Sequence, residues 1–494
     1  LEGSFATSAF KNASLAVLSL KNIRGTLNGK PFEAGLLIRN FNDSEITLNF
    51  KGEVDAAELV RFFPIENLKQ VNGNIKADIA FAGRMSWLKN KATATRASTR
   101  GSVDVRQINF QYGRDEIPVQ NLNGSFQFNN NDLALSDITG KLGSSDFMLN
   151  GLFKNIITFL LFENQPVGIE ADLRARYLNL DELFVYAFGK EVKSENDNVY
   201  EFSISPNVNL NFNCQVSRLQ YKRFKAQELR GDLLVKNKVA VSRNINVKTM
   251  GGNLSLSGIV DAKNPKAINI SSSFKLNGLR LDSIFYVFEN FQQTFIQDKH
   301  LKGNAFAEVS LDMTLNQNLS LFQETLVADI SATIRNGELN NFEPLKALNK
   351  YLDDEGLSAL RFADLKNDIH IENKTVYIPQ MEVRSNVTVL QISGTHTFDQ
   401  HIDYRIVTPL NSRRKIDINE ATGAIEEMEG RAKLYLKIIG TTDNYKVIYD
   451  TEAVKKKVIA DLKKEVQELK DAFNKKKQKK TIELSTEEFD WDDN

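Results

Sequence analysis

The chain has 494 residues, 41% hydrophobic and 26% charged, the proportions of an ordinary folded protein rather than a disordered one. Its 63 basic and 63 acidic side chains cancel, so the basic excess that carries most nucleic-acid affinity is absent. One cysteine, Cys214, excludes an intrachain disulfide or a cysteine-based zinc site within one chain, and no run reaches the roughly 20 apolar residues of a membrane-spanning helix. The chain opens on Leu1 and enters strand-like sequence at once, so an N-terminal signal or anchor is expected ahead of it.

Alternation of apolar and polar residues marks strands with one buried face. It is clear at Ile46/Leu48/Phe50. A short helix follows over Asp55–Pro64, with Asp55 and Glu58 as a capping box and Pro64 as the stop. Ile75/Ala77/Ile79/Phe81 resume the alternation, and Arg84–Arg106, with Lys89, Lys91, Arg96 and Arg100, reads as a basic connector. The apolar run Ile156–Phe162 lies between Lys154 and Glu163 and reads either as an exposed loop touching a membrane or lipid, or as a segment buried under the sheet. Asn179–Tyr186 repeats the capped helix, and Leu281–Phe288 resembles it without the cap. Gly73–Ile79 and Gly303–Val309 match as the strands that resume after two of these helices.

The clearest alternation is Asn207–Val216, where Val208, Leu210, Phe212, Cys214 and Val216 are separated by Asn or Gln. Antiparallel sheets with one wet face read this way. Ile330/Ala332/Ile334 and Leu434/Leu436/Ile438 continue it. Three stretches, Gly124–Gly151, Gly231–Gly258 and Asn367–Gly394, each cover an interval of 27 residues. Each runs strand, Asn-rich turn, strand, and a third strand closing on Gly, which predicts a repeated meander. Asn411–Gly430 is a charged loop. From Thr451 the spacing of Val454, Val458, Leu462, Val466, Leu469 and Phe473 predicts a lysine-rich amphipathic helix, and the acidic end reads as disordered.

No catalytic motif appears. The four histidines, His300, His370, His396 and His401, form no helix-face pair, and His396 and His401 with Asp399 and Asp403 fit a polar turn better than a metal site. There is no G-x-S-x-G elbow, Walker A loop or G-x-G-x-x-G fingerprint. The expectation is a non-enzymatic chain with no metal, no cofactor and no nucleic-acid partner.

The segments Ile334–Leu348, Leu360–Asp368 and Ile392–Asp399, with Ile402–Tyr404, resemble the C-terminal signature region of the AsmA family of bacterial envelope proteins. Phe- and Asn-rich usage and the Phe489-Asp490-Trp491 tail resemble a Bacteroidetes-type source. The family is similar to the chorein-type bridge proteins of eukaryotes. The resemblance implies an elongated, twisted antiparallel sheet curled into an open groove, with short interstrand helices. It further implies a periplasmic phospholipid conduit, held by an N-terminal anchor in the inner membrane of a Gram-negative bacterium and serving outer-membrane biogenesis. The division expected is 1–450 for the repeated β region (334–406 the signature), 451–480 for the basic helix and 481–494 for the acidic tail.

Candidate groove-lining residues are Ile75, Ile79, Phe81, Phe126, Phe128, Phe147, Leu149, Val208, Leu210, Phe212, Leu254, Leu256, Ile369, Ile371 and Ile392. Candidate membrane or lipid contacts are Ile156, Ile157, Phe159, Leu160 and Phe162, with Lys455, Lys456 and Lys457 on the C-terminal helix, whose apolar stripe is also a candidate surface for an envelope protein partner. The same periodicity builds an open groove for acyl chains or a sealed core. The second option makes the chain a structural scaffold for outer-membrane assembly; a carbohydrate-active or adhesive β protein is a third reading.

Overall fold

A computed structural model describes residues 2–8, 12–62, 64–113, 116–188, 202–346, 358–409, 433–451, 466, 467 and 470. The predicted C-terminal helix with Lys455–Lys457, the charged loop and the acidic tail lie outside this set, apart from those last isolated positions. Among the described residues no helix is long and apolar enough to cross a membrane. The protein is mainly β, and its described residues fall into two units, 1–276 with 312–322, and 277–311 with 323–494.

The first unit is a meander in which neighbours in sequence are neighbours in the sheet. Its strands are β1 (Glu2–Ala6), β2 (Val17–Leu27), β3 (Lys30–Arg39), β4 (Glu45–Asp55), β5 (Leu68–Arg84), β6 (Ser98–Tyr112), β7 (Ile117–Asn129), β8 (Asp132–Leu142), β9 (Ser145–Lys154), β10 (Val167–Asn179), β11 (Val208–Tyr221), β12 (Phe224–Lys236), β13 (Val239–Thr249) and β14 (Gly252–Asp261). Short helices interrupt it: α1 (Ala56–Phe62), α2 (Lys91–Ala94), α3 (Ile156–Leu161) and α4 (Leu180–Phe188). Each strand pairs antiparallel with the next, except that β10 and β11 are parallel. The chain leaves β10 into α4 and must return to the starting edge before β11 begins, which a hairpin cannot do.

Three expectations need correction. Ser98–Arg106 is strand, not connector: β6 begins at Ser98, where Gly101 and small polar residues blur the alternation. Ile156–Leu161 is a helix, not a loop, with Asn131 holding Thr158 at both its N–H (2.8 Å) and its hydroxyl (2.9 Å). Asp55 turns its carboxylate to Lys30 and Asn28, and Glu58 pairs with Arg61 at 3.1 Å. The expected Asn179 cap does form, accepting from the Asp181 N–H at 3.1 Å, although Glu182 serves Ser144 instead.

The 27-residue repeat holds in three dimensions. In all three copies the middle strand carries a bulge at the same offset, between Leu135 and Ile138, Ser242 and Ile245, and Ile378 and Met381. The closing glycine is registered on the residue just before that bulge: Gly151 on Leu135, Gly258 on Ser242, Gly394 on Ile378. A Cβ at Gly151 would lie 2.6 Å from the Glu170 carbonyl oxygen, and one at Gly258 would lie 3.0 Å from that of Ser271. The glycine recurs because the following strand passes too close for a side chain.

Bulges strip a backbone N–H from the ladder and increase local twist. Here neighbouring carboxamides and carboxylates recover those N–H groups. Gln107 and Asn121, both at φ near +50°, donate to Asn123 Oδ1 (2.9 Å) and Asn109 Oδ1 (2.8 Å). Asp137 donates to Asn150 Oδ1 at 2.7 Å, and Asn244 to Asp232 at 2.9 Å. The asparagine-rich composition is thus partly a bulge-capping device as well as a source of turns.

The second unit holds β17 (Val327–Asn340), β18 (Ala359–Phe362), β19 (Leu365–Glu372), β20 (Thr375–Arg384), β21 (Val389–Thr397), β22 (His401–Pro409), β23 (Lys433–Thr441) and β24 (Asn444–Tyr449), with α5 (Leu281–Val287) and α6 (Glu343–Lys346). The ladders from β17 to β24 are all antiparallel. The unit boundary falls within β15 (Ile268–Arg280) and β16 (Leu301–Leu315).

Candidate functional site

Register decides which side chains share a face, because a shift of one residue would move them all to the other side. In the first unit the ladders bring together all twelve candidate lining residues from Ile75 to Leu256 on one face. Across that face runs a row of Ile23, Ala34, Phe50, Ile79, Gly101, Phe128, Leu133, Phe153, Ile169, Leu210, Val235, Ala240 and Val260, each registered on the next from β2 to β14. No polar side chain interrupts it. A parallel row runs Gly25, Phe32, Gly52, Ala77, Val103, Phe126, Leu135, Gly151, Ala171, Phe212 and Leu233. Phe32 lies over Gly25 and Gly52 and stacks on Phe50 at 6.0 Å.

The reverse face is mostly polar. Glu53, Lys76, Asp104, Ser125 and Ser136 form one row, and Asn150, Asp172, Asn213 and Asp232 another. Ion pairs such as Lys51–Asp78 at 2.9 Å bridge strands there. Neither of the two apolar rows carries such a group. On the same face Cys214 sits between Leu173 and Gly231, and burial pushes its thiol pKa up, keeping it neutral.

How much of this face is covered separates a groove from a core. The twelve candidates are all half-buried rather than enclosed. Two fully buried clusters occur where helices touch the face: Ala56 of α1 with Val105 and Ile108, and Ala175, Leu178 and Val216 with Leu183 of α4 against them. Both helices also show apolar side chains to solvent, Leu59 and Phe62 on α1 and Phe184 on α4. On α3, Ile156, Ile157, Phe159 and Phe162 are half-buried, while Leu160 and Leu161 are 70% and 49% exposed.

The second unit treats the same pattern differently. Leu390 (0% exposed), Leu436, Ile406 and Ile438 form a closed core beneath Phe295, Phe342, Leu345 and Phe362. Candidate Ile392 is partly buried and packs against this core. Ile369 and Ile371 share its sheet face and are half-buried. Burial raises the Tyr404 phenol pKa far above its ordinary value and lowers that of the His396 imidazole, and the Tyr404 hydroxyl lies 3.3 Å from His396 Nδ1. His401 opens β22, and among the described residues no group of His, Cys, Asp or Glu has metal-holding geometry. His370 is buried, with its Nδ1 2.7 Å from Asp329, a placement its local sequence does not signal, and the row also includes Leu133, Phe153, Ile169 and Val235, which are not among the candidate lining residues. Those four sit in ordinary alternating strands, and only their register assigns them to the row.

No family model, curated protein or solved structure matches this chain.

Proposed function

We propose that the chain is a non-enzymatic lipid-transfer conduit in which phospholipid acyl chains lie along the apolar face of the first unit. The observation that carries this reading is the thirteen-residue row, unbroken by polar groups and half-buried rather than enclosed along most of its length, with Val235 alone fully buried. Monomeric proteins rarely leave a contiguous apolar surface uncovered unless something binds it. With strands about 4.8 Å apart, thirteen of them carry the row over roughly 60 Å, about twice the hydrocarbon core of a bilayer. Each methylene removed from water contributes about 0.8 kcal/mol, and a row without polar side chains adds no desolvation cost.

The resemblance of Ile334–Tyr404 to the AsmA signature region supports placing this activity in the periplasm of a Gram-negative envelope, tethered to the inner membrane. The exposed Leu160 and Leu161 of α3 suit contact with a membrane or a lipid tail. Gentle purification followed by lipid mass spectrometry tests the proposal: phospholipid should co-purify stoichiometrically. Photo-crosslinkers at Leu210 and Phe212 should capture it, while one at Asn211, on the reverse face, should not. Capture of protein alone at Leu210 and Phe212 would refute the groove. The sealed core under Phe295 and Phe342 favours a second reading, in which the chain is a scaffold for outer-membrane assembly.

A further inference from the structure

In the second unit, the chain between α5 and β16 belongs to no strand, yet it places Phe295 at the centre of the closed core. We propose that Glu289–Lys299 is a displaceable strap, and that the slot filled by Phe295 is a second acyl-chain site closed by the protein's own side chain. This rests on the lipid-carrying reading of the apolar face and extends it to a site that reading leaves sealed.

The slot is built for hydrocarbon. The Phe295 ring stacks on Tyr404 at 5.7 Å and meets Phe342 (4.9 Å) and Tyr445 (6.2 Å) edge-on. His396 closes the remaining side at 6.0 Å, and its burial favours the neutral imidazole. The four rings packed on Phe295 thus carry no formal charge, and the Tyr404 hydroxyl is satisfied by His396 Nδ1 at 3.3 Å, an environment that suits an acyl chain.

The strap itself is largely self-contained. The Asp298 N–H donates to Asn290 Oδ1 (2.8 Å), that of Ile296 to Gln293 Oε1 (2.9 Å), and that of Gln297 to His300 Nδ1 (3.2 Å). It ties to the sheet through the Thr294 hydroxyl, which reaches Asp443 at 3.2 Å. At its root four consecutive residues, Glu289 to Gln292, have φ between 52° and 56°, a conformation L-residues adopt singly rather than in runs. Backbone of this kind concentrates at clamps and switches. Displacing the strap leaves β20–β23 paired, because it contributes nothing to their ladders.

A reversible lock tests this. In a Cys214→Ser background, Thr294→Cys with Asp443→Cys staples the strap shut when oxidised and frees it when reduced. The protein is incubated with vesicles containing a phospholipid bearing a diazirine in its acyl chain, irradiated, and the adducts mapped. Reduced protein should label on peptides carrying Tyr404 and Leu436 as well as on those carrying Phe128 and Leu210. Oxidation should cut the first set at least five-fold and leave the second unchanged. Phe295→Ala should raise Tyr404 and Leu436 labelling above wild type, whereas Phe295→Leu, which refills the slot, should not. Equal labelling of Tyr404 and Leu436 in both redox states overturns the strap, as does its absence while Phe128 and Leu210 label. Gated labelling at Tyr404 and Leu436 without any at Phe128 and Leu210 sustains the strap and overturns the conduit along the first unit. Labelling at neither overturns both.

Discussion

Leu210→Asp, set beside Leu390→Asp, separates an open apolar face from a sealed one. Leu210 is half-buried in the middle of the long row, between Ile169 and Val235. Full burial of a leucine is worth roughly 1.5–3 kcal/mol, so losing the greater part of it should cost about 1–2 kcal/mol, and a carboxylate that still reaches water adds little. Leu390 is 0% exposed. There the same change forfeits the whole transfer term, leaves unfilled space and buries a charge, for a loss of at least about 4 kcal/mol. Urea denaturation with m held constant reads both values. Bound phospholipid, quantified by mass spectrometry, should fall several-fold in Leu210→Asp, because the carboxylate interrupts the apolar path. Asn211→Ser on the reverse face, which adds no charge opposite Glu170, should change neither quantity appreciably. The reasoning fails if Leu210→Asp costs as much as Leu390→Asp, or if its lipid content equals that of wild type.

Gly151→Val places a branched side chain where the Glu170 carbonyl is 2.6 Å from the first new atom; a loss of about 2 kcal/mol is expected from strain, read as a lower thermal midpoint. Gly113→Ala, with open space around it but φ of +80°, should cost only about 1 kcal/mol. Asn150→Ala removes the acceptor for the bulge N–H of Asp137 and should cost about 1 kcal/mol, with faster amide exchange at Asp137; Asn150→Asp, which keeps an acceptor, should retain protection. His396 is held below the ordinary histidine pKa by burial, and a depressed pKa gives stability that is fully present above the unfolded value and lost as pH falls through the folded one. Thermal stability should therefore decline as pH drops below about 6.5, and His396→Phe should flatten that decline; an unchanged slope would show that His396 is not its source.

Much of the β architecture was legible because alternation is a local property. Asn207–Val216 reads as a one-sided strand from its own residues, and the ladders place its apolar set on one face. The spacing of Gly124–Gly151, Gly231–Gly258 and Asn367–Gly394 likewise announced the meander, since turn chemistry and strand length are written in consecutive residues. Less legible were features whose cause lies on another strand. Asn123 and Asn150 look like ordinary polar alternation until Gln107 and Asp137 are seen to need acceptors. Ile156–Leu161 became a helix because Asn131, 27 positions before Thr158, holds that residue's N–H.

The chain's own order of residues determined that there would be long strands, short capped helices between some of them, a recurring 27-residue unit and an apolar side to each strand. Only the tertiary structure decided what that side meets. In the first unit thirteen strands align their apolar sides into one row that is mostly half-buried rather than enclosed. In the second, Phe295, Phe342 and Leu345 close over the same kind of surface. The physical reason is that periodicity specifies a face through neighbours two residues apart, whereas covering a face requires side chains delivered from distant positions, and no local pattern records whether they arrive.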